Sequence, residues 1–145
     1  MKRILSVLLT LAAAAALVPA VHAQCTNATL TGKYAFSQTG FISNSQKGSP
    51  LPAAVVGVST FDGAGNVSAT YTDMSPGKPG GYGTPIQGTG SGTYTVNSDC
   101  TGSVSFTSGD AAGITLNMVI ISGGTEVFSI NTTPLVILTA DFKKQ

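Results

Sequence analysis

Tryptophan is absent from this 145-residue sequence, and histidine and arginine occur once each, as His22 and Arg3. Charged residues make up only 9% of the chain and cysteines number two, Cys25 and Cys100. Each scarcity removes a class of chemistry. General acid–base work usually draws on histidine or paired carboxylates, and both His22 and Arg3 fall in a leader-like segment. Serine is abundant, but no G-x-S-x-G occurs and no histidine is left to serve a nucleophile as base. Two cysteines without C-x-x-C spacing make no zinc site. No arginine-rich stripe is present to neutralise phosphates, so nucleic acid is not an expected partner. The Gly-x-Gly-x-Gly run at Gly88, Gly90 and Gly92 lacks the following helix that a phosphate loop needs. No cofactor is expected.

What is present begins with residues 1–23. Lys2 and Arg3 precede an apolar run from Ile4 to Val18, Pro19 breaks it, and Val21-His22-Ala23 offers small residues at −3 and −1. This is the pattern of a cleaved signal peptide and is short for a membrane span. An uncleaved anchor is the alternative. A lipid-attached Cys25 fits less well, because Gln24 is not the small residue that attachment wants. Cleavage after Ala23 leaves one expected domain, 24–145, secreted or periplasmic. It holds five lysines against six carboxylates, a formal net charge of −1. Such a surface has no electrostatic reason to bind anionic membranes. In an exported chain the two cysteines point to a Cys25–Cys100 disulfide.

No stretch of 24–145 shows a helical period, whereas period-two alternation recurs. Eight strands are expected, at about 29–38, 53–61, 66–74, 86–97, 102–108, 113–121, 125–131 and 134–142. Asp62-Gly-Ala-Gly-Asn66 and Asn97-Ser-Asp-Cys-Thr-Gly102 are hairpin turns. Asp62 and Asp99 read as turn formers; a calcium site at Asp62–Asn66 would offer one carboxylate, too few oxygens for that ion. Ser75–Pro85, with its prolines and glycines, is the one long loop. Asn27, Asn66 and Asn131 begin glycosylation sequons. Short connections favour an all-β, eight-stranded antiparallel up-and-down barrel, with a two-sheet β-sandwich as the alternative.

The stretch CTNATLTGKYAF resembles the first strand of calycin barrels, the group of lipocalins and avidins. Leu30-Thr31-Gly32-Lys33 matches the avidin-like run, with Tyr34 where a Trp would stand. The stretches VGVSTFDGAGN and GTYTVNSDCTG resemble those of small secreted bacterial proteins of no assigned function. The calycin resemblance implies a barrel. It implies no biotin site, which in avidins rests on several Trp residues. Lipocalins also pack a late basic residue on the strand-one Trp; here only Lys143 and Lys144 stand near the end of the chain.

The expectation is a non-enzymatic barrel that binds a small apolar ligand. Its lining candidates are Tyr34, Phe36, Phe61, Tyr71, Tyr94, Phe106 and Phe128, which could equally plug the barrel. Glu126 joins them if the Phe128 face is interior; otherwise it is a strand-end residue reaching solvent. A cofactor-free cyclase or isomerase, using Glu126 and the tyrosine hydroxyls, is one alternative. A surface interaction module is the other. The oligomeric state is not legible.

Overall fold

Alternation of apolar and hydroxyl-bearing residues produces eight consecutive antiparallel strands that close on themselves. The computed structural model describes residues 24–43, 45–76 and 84–145. The expected signal peptide and the centre of the Ser75–Pro85 loop lie outside the described residues. The strands are β1 Thr31–Ile42, β2 Leu51–Asp62, β3 Asn66–Asp73, β4 Ile86–Val96, β5 Thr101–Gly109, β6 Thr115–Ile121, β7 Glu126–Asn131 and β8 Val136–Lys144. Each pairs with its neighbour in sequence, and β8 returns to β1, giving a closed eight-stranded up-and-down barrel. Closure leaves no strand edge to template aggregation. The sandwich alternative is thereby set aside.

The inward face is Tyr34, Phe36, Phe61, Val67, Ala69, Tyr94, Val104, Phe106, Leu116, Met118, Ile120, Val127, Ala140 and Phe142, buried as one core. The outward face of β3, β4 and β5 is largely Ser and Thr. Cross-strand hydroxyl pairs line it, such as Ser91 with Ser108 at 2.6 Å and Thr95 with Ser103 at 3.1 Å. Burial of the apolar face supplies the main driving force.

Two expectations shift. Strand β1 runs on past Gln38 to Ile42, because Gly40 pairs with both Ala53 and Leu138. Pro134 does not begin β8; it sits in the preceding turn with Leu135 at positive φ, and the strand starts at Val136. A backbone that turns left-handed at Leu135 cannot continue a ladder.

The Cys25–Cys100 disulfide is formed, with Cα atoms 5.0 Å apart. It ties the segment before a short 3-10 turn, Asn27–Thr29, to the β4–β5 turn. That end of the barrel, which also holds the β2–β3 and β6–β7 turns, is called the tyrosine end below. The opposite end carries Asp73 and Asp110 and is called the aspartate end.

At the β2–β3 turn, Asp62 Oδ1 accepts the N–H groups of Ala64 and Asn66 at 2.8 and 2.9 Å. Its Oδ2 accepts from the Asn66 side chain at 2.6 Å. These bonds, the Asn66 side chain first, hold the carboxyl down to about 2. A folded pKa below the unfolded one stabilises the hairpin fully above the ordinary value of 3.8 and loses that effect as pH falls through about 2. In a carbonyl-detected NMR acid titration, Asp62 should therefore titrate near pH 2; a midpoint at or above 3.8 would contradict the turn geometry.

Candidate functional site

The barrel interior divides into a plugged half and an open half. At the tyrosine end, Phe61 lies between two tyrosine rings, edge-on to both, with centroids 5.3 Å from Tyr34 and 5.0 Å from Tyr94. Edge-to-face contacts of this kind add to area burial. The hydroxyls of these rings are turned onto backbone carbonyls. Tyr34 donates to the Gly124 carbonyl, which closes the β6–β7 turn over the core. Tyr94 shares its proton between the Leu30 and Asn27 carbonyls, at 2.8 and 2.9 Å. The Asn27 side chain in turn accepts the Val96 N–H at 2.8 Å. Burial is the main cause that raises both phenols above the ordinary tyrosine range. The N-terminal segment is thus stitched across this end by the disulfide and by Tyr94.

Lys144, the partner of Tyr34 in the β1–β8 ladder, places Nζ 5.9 Å from the centre of the Tyr34 ring. A cation over an aromatic face is favourable. A late basic residue therefore does pack on the strand-one aromatic, although the sequence offers Lys for Arg and Tyr for Trp.

Below this plug, a cavity of about 120 Å³ runs from the middle of the barrel toward the aspartate end. Its apolar wall includes Phe36, Phe106, Leu116, Leu138 and Phe142, with Phe36 and Phe142 stacked at 5.2 Å. Tyr71, Asp73, Ser75, Asp110 and Asn131 add polar groups. Two outer depressions, of about 530 and 480 Å³, are larger only because they are shallow troughs on the wall, open to solvent.

The glycines of β4 make room for the cavity's aromatic rings. Gly88 and Gly90 face inward, and a Cβ at Gly88 would come within 2.5 Å of the Tyr71 ring. At Gly90 it would meet Ala111 at 2.6 Å and Phe106 at 3.1 Å. The side-chain-free face of β4 is thus occupied by rings from its neighbours, one of the reasons strands carry glycine.

Of the lining candidates, Phe36, Tyr71 and Phe106 are on the cavity wall, while Tyr34, Phe61 and Tyr94 form the plug. Phe128 and Glu126 are not in the interior. Phe128 is 49% exposed on the outer wall opposite Val119, and Glu126 shares that outer face. The inward residues of β7 are Val127, Ser129 and Asn131. The reason is a competition along one strand. Turning Phe128 and Ile130 inward would carry the Glu126 carboxylate in with them, and an unpaired buried carboxylate costs more than two exposed apolar side chains return. Glu126 instead meets Lys143 at 3.4 Å, and Lys143 also meets Asp141 at 3.5 Å, both on the outside.

Asp73, Ser75 and Asp110 are among the cavity residues with no counterpart in the sequence candidates. Asp73 is 7% exposed, and its Oδ1 accepts the Ser75 N–H at 2.7 Å. Asp110 Oδ2 accepts the Thr89 N–H at 3.0 Å. Ser75 is 4% exposed, and its hydroxyl has no hydrogen-bond partner among the described residues. Asp73 was legible: counting by twos from Val67 through Ala69 and Tyr71 places it inward. Among the described residues no cluster of His, Cys, Asp or Glu could hold a metal ion. No protein-family model matches the chain, and no curated protein matches it.

Proposed function

We propose that this chain is an exported, non-enzymatic binding protein whose barrel takes one small, mainly apolar molecule. The observation that carries the reading is the cavity walled by Phe36, Phe106, Leu116, Leu138 and Phe142. Its volume sets the size of the guest. At about 120 Å³ it falls below the roughly 300 Å³ at which pockets for drug-sized ligands begin. It is nearer the ~150 Å³ of an apolar cavity that takes up benzene. A single ring or a short branched chain fits, whereas a long-chain lipid does not.

Other features are in keeping with this reading. A disulfide belongs with an oxidising compartment, and residues 1–23 read as an export signal. The outer wall of β3–β5 bears hydroxyls over an apolar interior. The Tyr34–Lys144 packing supports a calycin-like relationship in shape. Of the groups an isomerase would use, Glu126 lies outside and the Tyr34 and Tyr94 hydroxyls are engaged at the plug, while Tyr71 stands on the cavity wall.

Native mass spectrometry of protein purified from its own host tests the proposal. A bound species of roughly 100 Da, the mass of a one-ring molecule, is expected on the wild type. It should be lost from Ala69→Leu, which fills the cavity from β3. A wild type that carries nothing, or an adduct that survives in Ala69→Leu, counts against the reading.

A further inference from the structure

The aspartate end of the cavity selects for charge as well as size, and this inference rests on the reading of the cavity as a binding site. Two carboxylates, Asp73 and Asp110, line it, and no Lys, Arg or His is among its described lining residues. An ionised carboxylate accepts hydrogen bonds and cannot donate them. The Tyr71 phenol lines the same cavity and is held above its ordinary range by burial first, then by Asp110 and Asp73.

A second observation points to a ligand. The Ser75 hydroxyl lines the cavity, is almost wholly buried, and has no hydrogen-bond partner among the described residues. Buried hydroxyls are nearly always hydrogen-bonded, so one that faces a cavity marks a place for a partner. The partner must satisfy a hydroxyl and sit beside carboxylates. An anion is repelled there. A purely apolar guest leaves the hydroxyl unmet. An alcohol brings one donor. An ammonium brings three donors and the right charge, and the walls beneath it are aromatic rings, whose faces attract cations.

We propose that the guest is a small primary amine in its protonated form. Its apolar body lies among Phe36, Phe106 and Phe142, and its ammonium sits at Asp73, Ser75 and Asp110.

Four one-ring probes separate the possibilities by calorimetry or NMR titration at neutral pH: benzylamine, benzyl alcohol, toluene and benzoate. Probes of this size bind weakly, so titration should extend to roughly 10 mM. Benzylamine should bind at least about tenfold more tightly than benzyl alcohol or toluene, as charge-assisted bonds require, and benzoate should not bind. Asp110→Asn and Asp73→Asn should each erase most of the advantage of benzylamine over toluene measured on the same variant. Asp110→Asn can still accept the Thr89 N–H, so at least one variant keeps its local bonds. Equal affinity for benzylamine and benzyl alcohol, or tight binding of benzoate, would overturn the ammonium assignment while the cavity reading stands. Failure of all four probes would overturn the cavity reading and the assignment with it.

Discussion

Replacing Cys25 and Cys100 together with serine should lower the stability of the barrel by roughly 4 kcal/mol. The bridge spans 75 residues and so encloses β1 through β4. In the chain-entropy account, a cross-link of that length confines the unfolded chain strongly and costs the folded chain little. Its ends are well anchored in the native fold. Cys100 donates its N–H to the Asn97 carbonyl at 3.0 Å, and its own carbonyl accepts the Ile120 N–H at 2.8 Å. Cys25 precedes the segment that Tyr94 and Asn27 fasten to β4. In urea, a slope near 2 kcal/mol/M makes this a fall of about 2 M in the unfolding midpoint. A fall below about 0.5 M would mean that the bridge joins parts already held together in the unfolded chain. The cavity lies toward the other end of the barrel, so the serine variant should still take up a guest wherever it remains folded.

The second large effect lies in the plug. Phe61→Ala should cost about 3–5 kcal/mol, the usual range for removing a buried phenylalanine. Phe61 is 3% exposed and has an aromatic ring on either side, so nothing can collapse into its place without moving Tyr34 or Tyr94. Those two rings are fixed by their hydroxyl bonds to Gly124 and Leu30. For a chain whose total stability is on the order of 5–15 kcal/mol, this is a large fraction. The melting temperature should drop by roughly 10–20 °C. Phe106→Ala is the control. Phe106 borders space that is already open, so its removal enlarges an existing cavity and should cost less. If the two variants were equally destabilised, the division into a plugged half and an open half would fail.

The strand pattern was legible because this chain obeys the rule of twos almost throughout. Val67, Ala69 and Tyr71 alternate with Ser68, Thr70 and Thr72, and the turn residues of Asp62–Asn66 and Asn97–Gly102 fall between strands as their chemistry demands. Three things could not be read. The first is height along the barrel axis. Tyr34 and Phe36 share one face of one strand, yet one plugs the barrel and the other lines the cavity, and strand stagger alone decides which. The second is β7, where apolar character and inward direction part company because Glu126 shares the face of Phe128 and Ile130. The third is partner supply. Gly40 looks like a strand breaker in isolation, but β2 and β8 on either side carry the ladder through it. The aspartate end is hidden for a different reason: strand-end acids are ordinarily solvated, and only closure of the barrel buries Asp73.

Methyl-resolved NMR during a toluene titration shows whether the cavity takes a guest. Saturable shifts are expected at Leu116, Val136 and Leu138, which wall the cavity, and none at Leu30 or Val127, which are buried but do not line it. Shifts confined to Val119 and Ile130 on the outer wall, or no saturable shift at all, would contradict the cavity reading.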